Sequence, residues 1–184
     1  KLDGVGTGAK FAVPNGVSLH GDGATLFVAD QSNSLIRVVG TGLLSLPLPM
    51  GLGVTSTIAG SGTSSFADGT GSSASFCQSA HGAITNDGAL LYIGDTCNHR
   101  IRIVILATHE VISLVGSGGA SYADGIGTSA SFNSPMGVSL SGDGNVVFVA
   151  DFSNHRIRQV IVASKKVSTI AGSGTATYAH GVGV

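Results

Sequence analysis

Two heptapeptides decide the fold: Asp95-Thr-Cys-Asn-His-Arg-Ile101 and Asp151-Phe-Ser-Asn-His-Arg-Ile157, which lie 56 positions apart. A weaker copy, Asp30-Gln-Ser-Asn-Ser-Leu-Ile36, stands 65 positions before the first of them. Upstream of each heptapeptide runs a second motif, which reads Phe66-Ala-Asp-Gly, Tyr122-Ala-Asp-Gly and Tyr178-Ala-His-Gly, again at intervals of 56. Self-similarity at a fixed period of this size indicates a repeat architecture.

The intervals divide the chain into units that belong to a single domain. The first unit carries nine extra residues (65 against 56), which fall around Leu46-Pro-Leu-Pro-Met50 and are interpreted as a loop extension. The predicted units are residues 1–62, 63–118 and 119–174, with the start of a further unit at 175–184.

Each unit is predicted to form four short strands, most clearly in the third unit. There the Asp143-Gly144 turn separates two apolar runs, and the four predicted strands are 137–140, 146–150, 156–162 and 167–171. The second strand is apolar almost throughout, so both of its faces must be covered. Four strands per unit, stacked around an axis, predict an all-β protein, a β-propeller of which about three four-stranded blades are visible.

Charged residues are few and recur at fixed places. Five arginines belong to third strands and alternate with apolar residues, so we expect them to lie toward solvent and to protect blade edges from unwanted strand pairing. All acidic residues except Glu110 recur at three places in the units, where we expect them to stabilise turns, which leaves no carboxylate pair for acid–base catalysis. These nine residues are Asp3, Asp68 and Asp124; Asp22, Asp87 and Asp143; and Asp30, Asp95 and Asp151.

Composition excludes several classes of protein. The 184 residues are 42% hydrophobic and 10% charged, which is too apolar for a disordered chain. No apolar run approaches the roughly 18 residues of a membrane-spanning helix, so no span is expected. Nine Lys and Arg residues and a net charge of −1 argue against a nucleic-acid partner.

The heptapeptides resemble the Asn-His-Leu core of NHL repeats, and the flanking Thr169-Ile-Ala-Gly-Ser-Gly174 and Ala130–Gly137 segments agree with that family. The resemblance implies a propeller of about six blades, so the remaining blades are expected from the same chain, with a second copy of the chain as the alternative. It also implies that one set of residues forms the repeat framework: Asp30, Asn33, Asp95, Asn98, His99, Arg100, Asp151, Asn154, His155 and Arg156.

The two cysteines, Cys77 and Cys97, occur only in the second unit. In a propeller of this type, the loop leading into a blade and the turn after the second strand lie on one face, so a disulfide is plausible and favours an oxidising compartment. Two buried thiols in a cytosolic protein are the alternative. The same segment resembles the disulfide-bearing blade of the peptidylglycine amidating lyase family, and that likeness supports the bridge.

The lyase resemblance does not extend to its catalytic residues. That family places a catalytic Tyr before the second Cys, where this chain has Thr96, and it binds zinc through three His from different blades. Here only His81 stands near a blade entrance, as a weak candidate ligand. Zinc or calcium therefore stays a minor possibility, and no cofactor is expected. His20 and His109 are interpreted as isolated, solvated residues of turns or edges.

The sequence thus predicts a non-catalytic interaction or structural module of a secreted or cell-surface protein, with a protein or glycan as partner. It would serve as a rigid scaffold, within a larger extracellular assembly. The alternative function is that of a zinc-dependent lyase.

Overall fold

The computed structural model describes residues 2–42 and 51–177, which form three antiparallel sheets of five strands each. The strands are β1 (Gly4–Val5), β2 (Pro14–Leu19), β3 (Thr25–Asp30), β4 (Leu35–Gly40) and β5 (Val54–Ala59) in the first sheet; β6 (Gly69–Thr70), β7 (Ser79–Ile84), β8 (Leu90–Asp95), β9 (Arg100–Ile105) and β10 (Glu110–Val115) in the second; and β11 (Gly125–Ile126), β12 (Pro135–Leu140), β13 (Val146–Asp151), β14 (Arg156–Ile161) and β15 (Lys166–Ala171) in the third.

Each sheet carries one strand more than the sequence predicts. The extra strand is only two residues long and lies on the outer edge, where it pairs with the last strand of its own sheet, as β1 does with β5. Two residues are too few to show an alternating pattern, so nothing in the local sequence marks them as a strand. Short 3-10 turns, such as Gly6–Gly8, follow these edge strands.

The three sheets are propeller blades. The first long strands, β2, β7 and β12, are innermost in their sheets and lie next to one another in sequence order. Apolar side chains of neighbouring blades fill the space between them, with Phe27, Phe76 and Ile93 in one cluster and Tyr92, Phe132 and Val149 in the next. The predicted all-β partial propeller is confirmed, and no helix of the described residues has the length and hydropathy needed to cross a bilayer.

Within the described residues, the first and third blades each have one face that no neighbouring blade covers. Leu19 is 53% exposed, whereas Leu140 at the same place in the third blade packs against the core between blades. Likewise Ile157 is 41% exposed, while Ile101 at the same place in the second blade is fully buried. The coverage of both faces predicted for the second strand is therefore complete in β8 of the middle blade and one-sided in β13.

The expectation that the third strand lies toward solvent is wrong for its central arginine. Arg37, Arg102 and Arg158 are 0% exposed and are the largest fully buried side chains of the described residues. Strand alternation places these arginines on the side of the sheet that faces the loop leading into the blade. That loop supplies an aspartate to each of them, namely Asp3, Asp68 or Asp124. The Pro-rich part of the extension around Leu46–Met50 and most of the predicted further unit at 175–184 fall outside the described residues.

Candidate functional site: the disulfide face

One end of every blade gathers the connections that carry the predicted site residues. Here the 3-10 turns Gln31–Asn33, Thr96–Asn98 and Phe152–Asn154 join the second long strand to the third, beside the loop that leads into the blade. We call this end the disulfide face. Each turn ends on a residue with positive φ, namely Ser34, His99 or His155, at 53–54°. This left-handed conformation disfavours β-branched residues, and polar side chains occupy it in all three blades.

The Asp and Asn of each heptapeptide hold the turn to the loop. In the second blade Asp95 Oδ2 accepts a hydrogen bond from Asn98 Nδ2 at 2.9 Å, and Asp95 Oδ1 accepts one from the Cys77 N–H at 2.8 Å. Asn98 Nδ2 also donates to the carbonyl of Ser65 in the loop. The same Asp–Asn bond recurs between Asp30 and Asn33 and between Asp151 and Asn154.

A buried arginine completes this network and gives the acidic residues a use the sequence did not reveal. Arg102 donates to Asp95 Oδ2 at 2.6 Å and to Asp68 Oδ1 at 2.7 Å, and to the carbonyls of Ser75 and Ala67. The equivalent pairs are Arg37 with Asp30 and Asp3, and Arg158 with Asp151 and Asp124. Two of the three recurring aspartates per unit are therefore ion-pair partners, not turn residues alone.

One or two aromatic rings lie close to each of the same guanidinium groups. The Arg102 guanidinium carbon lies 4.9 Å from the centroid of Phe66 and 5.3 Å from that of Phe76. The Nε atom of each buried arginine has no hydrogen-bond partner, and these ring faces supply its environment instead. Burial raises the pKa of Asp95, although the Cys77 amide, Asn98 and Arg102 all favour its charged form.

His99 links two blades. Its Nδ1 accepts a hydrogen bond from the backbone N–H of Ser134, at the start of the third blade, at 3.1 Å. Burial and the nearby Arg100 lower the pKa of His99, which favours the neutral ring that this hydrogen bond requires. His155, at the same place in the third blade, is exposed.

Cys77 and Cys97 form a disulfide with their α-carbons 5.3 Å apart. It joins the loop into the second blade to the turn Thr96–Asn98, beside a backbone hydrogen bond from the Cys97 N–H to the Cys77 carbonyl. The third blade has the same backbone hydrogen bond between Ser153 and Asn133, without a bridge. The disulfide therefore reinforces a connection that the blade already makes.

Two aromatic–arginine stacks are exposed on this face. Phe66 and Tyr122 are each 44% exposed. The guanidinium carbon of Arg100 lies 4.0 Å from the Phe66 centroid, and that of Arg156 lies 3.8 Å from the Tyr122 centroid. Arg100 also donates to the carbonyls of Asn98 and Ser117, and these bonds recur for Arg156, so each stack is held from both sides.

The residues weighed for a lyase do not assemble here. His81 is exposed on the innermost strand β7, and its backbone packs against Gly16 of the first blade. Thr96 is buried and donates its hydroxyl to the Pro135 carbonyl of the third blade. Within residues 2–42 and 51–177, no three His, Cys, Asp or Glu side chains come together in a way that could hold a metal ion.

The aspartates of the hairpin turns lie at the opposite end of the blades. Asp143 accepts hydrogen bonds from the Ser141 hydroxyl and from the backbone and side-chain amides of Asn145, and these lower its pKa to about 2. Asp22 and Asp87 accept the corresponding backbone amides of Ala24 and Ala89. Their predicted use in turns is therefore correct.

Repeated five-stranded blades around a common axis define the chain as a segment of a β-propeller. The family model of the NHL repeat matches residues 132–160, which include Asn154 and His155, so this part of the chain is an NHL repeat. Over 170 residues the chain is 32% identical to NHL repeat-containing protein 2 of Bos taurus, a match that covers 87% of this chain and 22% of that protein. The predicted family resemblance is confirmed.

A second relative comes from a plant. The chain is 29% identical over 158 residues to Protein SUPPRESSOR OF QUENCHING 1, chloroplastic, of Arabidopsis thaliana, covering 82% of this chain and 14% of that protein. The chain thus spans about a fifth or less of the length of these curated relatives.

Solved structures agree on the fold. An auxiliary nutrient binding protein from Bacteroides thetaiotaomicron superposes with a TM-score of 0.67 at 22% identity, over 83% of this chain and 36% of that one. A chain of a nidogen/laminin complex superposes with a TM-score of 0.63 at 12% identity, over 91% of this chain and 53% of that one. At these identities the likeness establishes the propeller architecture alone.

Proposed function

We propose that this propeller segment is a non-catalytic interaction module that binds a protein partner through the disulfide face. The observation that carries the proposal is the pair of stacks, Phe66 on Arg100 and Tyr122 on Arg156, on loops already fixed by the framework. Aromatic and arginine side chains contribute most of the binding energy at protein interfaces. Because these side chains are held before binding, little conformational entropy is lost when a partner docks.

The rigidity of the face supports the proposal. The loop into the second blade is held by the disulfide, by Asn98 and by Arg102, whose side chain is 0% exposed. A surface that is fixed by buried contacts serves as a scaffold, because binding needs no rearrangement of its backbone. Near this loop the carboxylates of Asp68 and Asp95 are both engaged with Arg102, so neither is free for acid–base chemistry.

The proposal includes a secreted or cell-surface location, which the Cys77–Cys97 disulfide supports, since such bonds persist in oxidising compartments. The chloroplast in the name of the Arabidopsis relative is the competing compartment. Fractionation of the source cells, with the thiols blocked at lysis, separates the two. Recovery of the protein with two free thiols from the cytosol would contradict the location.

The binding test compares two charge-matched double variants. Arg100→Ala with Arg156→Ala removes both stacks, whereas Lys165→Ala with Lys166→Ala removes two positive charges at the opposite end of the third blade. A partner captured by the wild-type protein is identified by mass spectrometry, purified and titrated by biolayer interferometry.

We expect the arginine variant to bind this partner at least about tenfold more weakly and the lysine variant to bind it as the wild type does. Equal loss in both variants, or in neither, would exclude the disulfide face as the binding surface. Binding of the wild-type protein to a glycan array, with no protein partner recovered, would replace the protein by a glycan. Bound zinc together with turnover of an α-hydroxyglycine peptide would instead support the lyase alternative.

A further inference from the structure

A cleft of about 450 Å³ opens between the first and second blades, at the end opposite the disulfide face. Its floor is apolar and consists of Phe27, Val38 and Ile58 from the first blade and Leu106 from the second. Polar groups, among them His20 and His109, stand at its rim. Its volume lies within the range of about 300–1,000 Å³ that is typical of small-molecule sites.

The cleft is open because the side chains that line it are relatively small. The gap between the second and third blades has larger side chains at the equivalent positions and is filled. In that gap Leu90, Tyr92 and Ile103 pack with Leu114 and Val162, and Tyr92 is only 1% exposed, whereas Ile112 is 37% exposed. Strand register gives the correspondence: Thr25, Phe27, Val38 and Ser56 of the first blade match Leu90, Tyr92, Ile103 and Ile112 of the second. Each replacement in the second blade adds atoms, so the open space belongs to the first gap.

The charges around the cleft define the ligand it would accept. Asp22 Oδ2 lies 2.9 Å from Nδ1 of His20, so its carboxylate is already engaged, and Asp22 Oδ1 accepts the Ala24 amide. No Lys or Arg is among the described residues that line the cleft. A phosphate or carboxylate would find no permanent cation there, and an ammonium group would compete with His20 for Asp22.

One polar group at the rim is available to a ligand. The imidazole of His109 is exposed and makes no hydrogen bond or ion pair within the described part of the chain. The hydrogen bonds of His109 are those of its backbone, whose N–H donates to the Ile105 carbonyl and whose carbonyl accepts from the Gly71 N–H. An imidazole both donates and accepts, so a hydroxyl is a suitable partner for it.

We propose that this cleft is a binding site for an uncharged amphiphile with a ring body and one hydroxyl group, of the phenol or cyclic alcohol class. The rings lie on Phe27, Val38 and Leu106, and the hydroxyl bonds to the His109 imidazole. This site is separate from the disulfide face and does not depend on the function proposed for that face.

The test titrates the purified protein with 1-naphthol, followed by calorimetry and by amide chemical shifts in NMR. We expect saturable binding, with the shift changes concentrated at Gly88, Ala89, Leu106 and Ala107, which line the cleft. Naphthyl phosphate and naphthylmethylamine keep the rings and add a charge of either sign. Binding of either charged probe as tightly as 1-naphthol would overturn the uncharged class.

A pair of variants decides whether the cleft is the site. Val38→Ile with Ser56→Ile introduces the residues that the second blade already has at these positions, and should weaken 1-naphthol binding at least about tenfold. Ser168→Ile makes the same change at the equivalent place in the third blade, outside the cleft, and should leave binding unchanged.

Thermal unfolding of each variant shows that it is folded before titration. His109→Ala, an exposed position, gives a second reading that is independent of core packing and should weaken 1-naphthol but not naphthalene. Absence of saturable binding to the wild-type protein, or undiminished binding to the filled variant, refutes the site.

Discussion

Replacement of Arg102 by Met removes one guanidinium from the interior and keeps most of the side-chain volume. Arg102 is 0% exposed and donates to two carboxylates and two backbone carbonyls. In the variant Asp95, itself 0% exposed, keeps its hydrogen bonds from the Cys77 amide and Asn98 but loses its counter-charge. Asp68 is 45% exposed, so water compensates it.

The expected loss of stability follows from the different exposure of the two aspartates, since Asp95 is buried and Asp68 is 45% exposed. Loss of one partner from a buried ion pair costs about 3–5 kcal/mol, because the remaining charge stays buried without compensation. The ion pair with the exposed Asp68 adds at most about 1 kcal/mol. For a chain of this size, about 2–4 °C per kcal/mol converts the total loss of about 3–6 kcal/mol into a fall of roughly 6–24 °C in the melting temperature.

Urea unfolding and thermal melts monitored by circular dichroism measure the effect. The control is Arg100→Met on the same strand, which removes a partly exposed guanidinium bonded only to the carbonyls of Asn98 and Ser117 and stacked on Phe66, and should cost about 1 kcal/mol. A loss below about 1 kcal/mol for Arg102→Met, or equal losses for both, would refute the role of the buried pair.

The same variant has a signature in pH. Without Arg102, the pKa of the buried Asp95 rises further above its value in the unfolded chain. A carboxyl whose pKa is raised by folding loses stability as pH rises above the unfolded pKa, so Arg102→Met should become less stable from pH 5 to pH 8 by more than the wild type does. A pH-independent difference would show that lost packing, not the charge, causes the destabilisation.

Three further predictions concern other parts of the molecule. Cys77→Asn with Cys97→Ser, the pair found in the third blade, should lower the free energy of unfolding by about 3 kcal/mol in non-reducing buffer, and reductant should then change nothing. Gly16→Ala would place a Cβ 2.6 Å from a backbone α-carbon of the second blade and should cost about 1–3 kcal/mol in urea unfolding. The Asp143 carboxyl should titrate near pH 2 by NMR. Its stabilisation of the hairpin turn should be complete above the pKa of the unfolded chain and should be lost as pH falls through the lower pKa of the folded protein. Ser141→Ala should move the folded pKa back toward 3.8.

The repeat made the architecture predictable. A 56-residue period with apolar second strands requires neighbours on both faces, and β8 of the middle blade shows this coverage. The outer strand Gly69–Thr70 was not predictable, because it owes its strand geometry to pairing with β10 across 40 residues of chain and not to its own residues. The exact limits of the units stay a prediction.

The site was predictable only in part. Asp95, Asn98 and His99 were recognised from their recurrence, and they do meet the loop and the next blade. The prediction that Arg102 lies toward solvent was wrong. An Arg that alternates with apolar residues on a strand is expected to face solvent unless a buried acidic partner is known. The partner, Asp68, recurs at the same 56-residue interval, and that joint recurrence was the signal available.

The sequence alone determined the number of blades in view, their order and the residues of each turn, because a repeat transmits its fold through local pattern and period. Only the tertiary structure decided which charges are buried, which loop each arginine holds and where the gap between blades stays open. Those properties depend on contacts between residues tens of positions apart, such as Arg102 with Asp68 or Thr96 with Pro135 across two blades. Such contacts contribute most to the free energy of unfolding when they are buried, and they become buried only when the blades have assembled.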